Sequence, residues 1–293
     1  MYSKYVQRLK DNTSTPDTPH SPPKLMRSKL IILMALASAA YGDQNLTIDS
    51  STTGNFDQLN GNGNTVSNIT VTENATINRL DGSSINNLTT ITLTIADNAT
   101  FTVSGNAKLP YNNTDKTYNT TITLGNNSTW DVGGILYFGS RNSSFTGIIQ
   151  NTSIQFGSGA SISAGTISTV AAEGGDSYLT LSADFDSQTL SALADTSQLG
   201  TTYSRTLITT TNGLENYNTA NVSLSSLSEL EALGYQNVGV ISSIDNLGLG
   251  QYGILYSGNI LSMVAKTIPE PSTGVLAIFA LSALAMRRRR PTR

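Results

Sequence analysis

Four stretches decide the fold: ITVTENATI (69–77), LTIADNATF (93–101), ITLGNNSTW (122–130) and IQFGSGASI (154–162). Each reads as a strand with every second residue apolar, a turn at Asn or Gly, and a second alternating strand. Period-two alternation places one face of a strand in a core and the other in water. Asn and Gly tolerate the left-handed backbone that tight turns demand. Aligned on the turn residues Asn74, Asn98, Asn127 and Gly159, the copies lie 24, 29 and 32 residues apart. Short strands repeating every roughly 20–30 residues fit the rungs of a right-handed parallel β-helix, each rung covering its neighbour's apolar edge. Hairpins of an ordinary sandwich produce uneven spacing too; the solenoid is the expected arrangement of the two. It requires Ile69, Val71, Ile95, Phe101, Ile122, Leu124, Ile154 and Phe156 to share one core. Alternating Thr and Ser then face water, and the Asn residues stack into a hydrogen-bonded ladder at one corner.

From about Asp176 the texture changes. Ser226 and Glu229 have capping-box spacing before Leu230 and Leu233, with Gly234 as a stop, so one short helix is expected there. Apolar runs at 205–209, 238–241 and 252–256 read as strands. The last of them, with the turn Ser257-Gly258-Asn259 and the run 260–265, reads as a hairpin. An uncovered end rung is a template for aggregation, so residues 176–266 read as a capping module on an all-β body at 43–175.

Composition narrows the chemistry. The whole chain carries a net charge of −3, but its cations crowd the two ends. Between residues 30 and 286 only Arg79, Lys108, Lys116, Arg141, Arg205 and Lys266 face eighteen acidic residues, a balance of −12. A nucleic-acid binder displaces phosphate counterions with cations, so nucleic acid is not an expected partner. Cysteine is absent and the single histidine is His20. The body therefore lacks the parts of a Ser-His-Asp triad, a Cys-His pair or a common zinc site, and no cofactor, metal or catalytic residue is assigned to it.

The remaining candidates are weak. Asp184 and Asp186 would share a face on a strand, where both could meet a sugar or a cation, but a solvated turn is the plainer reading. Residues 173–176 hold part of a Gly-Gly calcium repeat that never recurs, and 60–64 is a Gly-rich corner with no lysine or helix after it. Trp130, Tyr137 and Phe138 could stack on sugar rings, although strand aromatics more often pack inward. Asn-x-Ser/Thr sites are numerous: Asn45, Asn68, Asn74, Asn87, Asn98, Asn112, Asn119, Asn126, Asn127, Asn142, Asn151 and Asn221. Several fall at expected turns, where a glycan would be accessible.

The two ends carry the clearest functional signal. Arg27 and Lys29 precede the apolar run 30–37 and the small residues of 38–42, the order of a secretory signal peptide cleaved after Ala39, Ala40 or Gly42. That peptide spans 26–42. Residues 1–25 are polar and proline-containing, and read as a start placed too early or as a disordered extension. At the other end, 267–293 holds Pro269, Glu270 and Pro271, the apolar run 274–286, and then Arg287, Arg288, Arg289 and Arg290. Arginines resist transfer through lipid, so an apolar run closed by an arginine block is a membrane stop. The run falls short of the ~20 residues of a full transmembrane helix, which bilayer thinning and arginine snorkelling can make up.

In this order and position the segment resembles the PEP-CTERM sorting signal of Gram-negative bacteria. The resemblance implies recognition of Pro269–Pro271 by an exosortase-type transpeptidase, removal of the tag, and delivery to the cell surface or extracellular matrix. It also implies that heavy glycosylation of the body is plausible. A GPI signal ends in a similar apolar tail without the arginine block and ranks second. In texture the body is similar to the passenger-type β-helices of bacterial surface proteins. The Sec translocon, signal peptidase and exopolysaccharide complete the expected partners of a structural or adhesive surface protein that is not an enzyme. The rival is a polysaccharide lyase or glycosidase on the same fold, which needs carboxylates and a cation lining one groove.

Overall fold

The computed structural model describes residues 44–56, 66–83, 90–111, 117–138, 149–168, 176–195, 197–198, 200–215 and 221–268. Every described residue belongs to the unit that begins at Tyr41. The signal peptide, the 1–25 extension, the Pro269–Pro271 motif and Arg287–Arg290 all lie outside the described residues. Among the described residues no helix is long and apolar enough to cross a membrane.

In chain order the first strands are β1 (Gln44–Ile48), β2 (Asn55–Phe56), β3 (Val66–Val71), β4 (Ala75–Ile77), β5 (Arg79–Ser83), β6 (Thr90–Ile95) and β7 (Thr100–Val103). Next come β8 (Ala107–Tyr111), β9 (Thr117–Leu124), β10 (Thr129–Tyr137), β11 (Ile149–Phe156), β12 (Ser161–Ser168) and β13 (Asp176–Ala183). The C-terminal part adds α1 (Ser187–Ala194), β14 (Thr202–Thr210), β15 (Leu214–Glu215), β16 (Val222–Leu224) and α2 (Ser228–Ala232). It ends with β17 (Gln236–Ile241), β18 (Gln251–Ser257) and β19 (Ile260–Lys266). The fold is thus all-β in class, with two short helices.

One sheet, here the regular sheet, runs β1-β3-β6-β9-β11-β13-β16 and is parallel throughout. The other, the bent sheet, takes β2, β4, β5, β7, β8, β10, β12, β14, β15, β17, β18 and β19. Each repeat therefore gives a strand to the regular sheet, turns, and gives the rest to the bent sheet. The inner columns follow from the register: Ile69, Leu93, Ile122 and Ile154 stack in one sheet, and Ala75, Phe101, Trp130 and Ile162 in the other. All eight residues expected to share a core are at most 2% exposed and lie in one apolar cluster. Phe101 and Trp130 stack there with ring centroids 6.3 Å apart.

The turn joining the sheets shows why Asn and Gly recur. Asn98 (φ 60°), Asn127 (φ 54°) and Gly159 (φ 71°) occupy the third position of three equivalent turns, all in the left-handed region. The turns close by amide-to-carbonyl bonds from Ala99 to Ala96, Ser128 to Gly125 and Ala160 to Gly157, at 3.0–3.2 Å. The first copy departs from the alignment read off the sequence. Ala75, not Ile77, pairs with Phe101, while Val71 still pairs with Ile95, so this turn is two residues shorter. Asn74 is therefore not the counterpart of Asn98. A two-residue slip keeps every side chain on its expected face, which is why alternation could not reveal it.

Three further features depart from or add to the sequence reading. Parallel order does not stop at 175, because β13 pairs with β11 over its whole length and β14 extends β12 in parallel. The Ser226 capping box does not form: α2 has Leu227 as its N-cap with no side-chain hydrogen bond. A helix absent from the sequence reading, α1, is capped by Asp186 instead. The hairpin is as expected, β18 and β19 pairing antiparallel around Gly258 and Asn259. A glycine at φ 58° in the first turn position suits the twist of a two-residue hairpin. Strand β19 then pairs antiparallel with β14, so at this end the bent sheet leaves its parallel order.

Candidate functional site

A concave polar surface follows the bend of the bent sheet. Ser104, Gly133 and Gly165 stack there, and the two glycines approach the preceding strand too closely to carry side chains. A Cβ on Gly133 would sit 2.4 Å from the Ser104 carbonyl oxygen, and one on Gly165 would sit 2.8 Å from that of Gly133. The bend opens a groove of about 220 Å³ lined by Thr102, Ser104, Asp131, Ser163 and Thr211 with the glycine backbones. It offers hydroxyls and one carboxylate, which suits polar ligands. General acid–base cleavage of a glycosidic bond uses two carboxylates flanking the bond, and Asp131 is the single carboxylate lining this groove.

A stacked acidic and basic cluster does exist, on β5 and β8. Asp81 is 1% exposed and takes an ion pair from Arg79 on its own strand, with Lys108 Nζ at 3.6 Å. The Lys108 ammonium also lies 5.5 Å from the centroid of the Tyr137 ring. Burying a carboxylate carries a large desolvation cost, and two cations offset it. The Asp81 carboxylate is buried and charge-compensated while Arg79 stays exposed, so the cluster welds neighbouring strands instead of presenting a reactive carboxylate.

The sequence candidates fare unevenly. Asp184 and Asp186 are both exposed, but they do not share a strand face: Asp186 caps α1, accepting from the Thr189 amide at 2.8 Å and its hydroxyl at 2.9 Å. Those bonds hold the Asp186 carboxyl below the usual aspartate range, the Thr189 amide contributing most. The structure also brings a cation that sequence proximity missed. Arg205 donates to the backbone oxygens of Asp184, Gly157 and Ala160, clamping the third turn to the start of α1. Burial lowers the Arg205 pKa, and the nearby Asp184 and Asp186 carboxylates oppose that shift. Trp130, Tyr137 and Phe138 are buried, so they form no sugar platform. Residues 60–64 and 173–175 lie outside the described residues, and Asp176 is an exposed strand start.

Many glycosylation-type asparagines turn out to be engaged. Asn127 donates to Asn98 (3.3 Å), Asn151 to Asn119 (3.0 Å), Asn68 to Asn45 (3.0 Å) and Asn126 to Asp97 (3.4 Å). Asn74 Oδ1 accepts from the Thr100 amide at 2.7 Å. In the later copies that amide position bonds to a turn carbonyl, Ala99 or Ser128, so the Asn74 side chain replaces the carbonyl lost with the shorter turn. These amides are structural ladders, and a glycan on the donating Nδ2 of Asn68, Asn126, Asn127 or Asn151 would compete with them. Asn87, Asn112 and Asn142 lie outside the described residues.

The outer face of the regular sheet entered the sequence reading only as water-facing Thr and Ser, without its columns. Its register aligns Thr47, Thr70, Thr94 and Thr123 in one column, and Thr92, Thr121, Ser153, Thr180 and Ser223 in the next. Asp176 is the single charged residue among the strands of this sheet. The signal was present as Thr at alternate positions in 92–94 and 121–123, but it was read only as the wet side of a core. No family model, curated protein or solved structure matches this chain.

Proposed function

We propose that the chain is an exported surface or extracellular-matrix protein with a structural or adhesive role. Its body is a right-handed parallel β-helix, and its C-terminal tag is read by an exosortase-type transpeptidase. The observation that carries this reading is the ordered tail: Pro269-Glu270-Pro271, an apolar run, and Arg287–Arg290 at the extreme terminus. The signal-peptide pattern at 26–42 supplies the Sec translocon and signal peptidase as partners, and the apolar tail anchors the precursor in the inner membrane. Successive copies in parallel register around one apolar cluster support the β-helix. The stacked turn asparagines support it as well.

A body of this kind suits display more than turnover. Its polar side chains are committed to ladders and turns, and the bend groove offers hydroxyls with Asp131. Exopolysaccharide is the candidate partner for that groove. The polysaccharide-active enzyme is the alternative, and the groove's lone carboxylate makes it the weaker reading. Mass spectrometry of surface and matrix material from the native host tests the proposal. The expected mature protein begins near Asp43 and ends near Pro271. Released protein that still ends in Pro291-Thr292-Arg293 would overturn it.

A further inference from the structure

We propose that the outer face of the regular sheet is an ice-binding surface. Thr47, Thr70, Thr94 and Thr123 lie on neighbouring strands in unbroken register, and Thr92 and Thr121 lie beside them two residues away. Neighbouring strands sit about 4.8 Å apart and alternate residues about 6.7 Å apart along a strand. The result is a rectangular grid of hydroxyls, close to the oxygen repeats of crystalline water on its prism face. β-Branched threonine is stiff about χ1, so adjacent hydroxyls and methyls hold one orientation along a column. Methyl groups restrict first-shell water while hydroxyls anchor it, which favours an ordered layer.

Charge and shape support the same occupant. The body has a balance of −12, yet the strands of this sheet carry Asp176 alone. An ionic side chain would orient water around itself and spoil a lattice match. A neutral glycan would be expected to stack on exposed aromatic rings. Here Tyr118 and Phe156 are buried, and Tyr178 is the one exposed aromatic ring among the described side chains of these strands. A second copy of the chain fits less well, because seven strands give roughly 700 Å² of mostly polar surface. Stable pairs bury about 800 Å² on each partner.

The inference stands independently of how the chain is exported. It is tested by holding a single ice crystal near its melting point in a solution of the full chain. Expected are faceted growth and a gap between melting and freezing temperatures. Thr94→Tyr and Thr123→Tyr should shrink that gap several-fold, whereas Thr76→Tyr, on an exposed position of the bent sheet, should leave it unchanged. Far-UV circular dichroism confirms folding, and Thr94→Lys supplies a less bulky variant with the same expected loss. A crystal that grows as a rounded disc, as in buffer, overturns the proposal, as does an equal loss from Thr76→Tyr. Retention on microcrystalline cellulose that Thr94→Tyr abolishes, with unaltered ice growth, overturns it and reassigns the face to neutral glycan.

Discussion

The regular sheet and the bent sheet are built from the same repeats, yet they differ in almost every local property. The regular sheet has no glycine in its strands and a single charge, and from β3 through β16 its register never shifts. The bent sheet carries glycines at its corner, shifts register between Val132 and Ile135, and holds Arg79, Asp81, Lys108, Asp131, Arg205 and Lys266. The difference lies in what each half of a repeat must accomplish. A strand that only stacks needs alternation, which Thr and Ile supply. A strand that also turns a corner needs close backbone approach, which only glycine permits, and the corner then opens a groove. Position along the repeat, more than overall composition, decides which half can carry a pocket.

The largest effect should come from the core that the sheets share. Ile122 of the regular sheet and Trp130 of the bent sheet are both fully buried in one cluster. Ile122→Ala should cost about 2–5 kcal/mol and Trp130→Ala about 3–5 kcal/mol, since each leaves a cavity that the packed sheets cannot collapse into. Urea unfolding of Ile122→Ala followed by tryptophan fluorescence and by far-UV circular dichroism should give one coincident, destabilised transition. Separate midpoints for the two probes would show that the sheets unfold independently and would break the comparison at its root.

How much of this was legible follows from what alternation can encode. The inward residues, the Asn-rich turns and the terminal hairpin depend on neighbours a few positions apart, and the sequence displays them. The shortened first turn does not show, because Thr72, Glu73 and Asn74 look like the other turns and a slip of two leaves every face unchanged. Thr120, Gln150 and Thr152 are polar residues at inward positions of the alternation, and all three are buried, with Gln150 donating to the Thr120 hydroxyl at 3.3 Å. The bond helps satisfy polar atoms in positions where alternation promises apolar ones. Arg205 lies more than forty residues from the turn it clamps, so no local pattern could assign it. The Pro269–Pro271 motif and the Arg287–Arg290 block were legible as a pattern and lie outside the described residues.

A middle-sized effect isolates the corner. In Gly133→Val the first added carbon meets the Ser104 carbonyl oxygen at 2.4 Å, a backbone atom that cannot swing away. Overpacking of this kind costs about 1–3 kcal/mol. Thr121→Val, on the exposed outer face of the regular sheet, should change stability by no more than about 0.5 kcal/mol. Equal urea midpoints for these two variants would mean that the glycine corner is not what separates the sheets.

The smallest effect sharpens the comparison where the two sheets meet at their C-terminal end. Tyr252, on β18 of the bent sheet, is fully buried. Its hydroxyl accepts from the Leu227 amide at 3.0 Å and donates to Glu231 Oε1 at 3.0 Å, fixing α2 just after the last strand of the regular sheet. Tyr252→Phe strands a buried amide and should cost about 1 kcal/mol. Burial, foremost, and the Glu231 carboxylate hold the Tyr252 pKa above the ordinary tyrosine value. A raised folded-state pKa means the unfolded chain releases its proton first. The contribution is therefore complete below the ordinary value of about 10 and is lost as pH rises through the folded-state value. Stability measured by urea at stepwise pH above neutrality should fall on this alkaline limb, and fall less steeply in Tyr252→Phe. Identical alkaline slopes in the two proteins would show that the hydroxyl is not shielded from water, and that the bent sheet does not hold the end of the regular one through this contact.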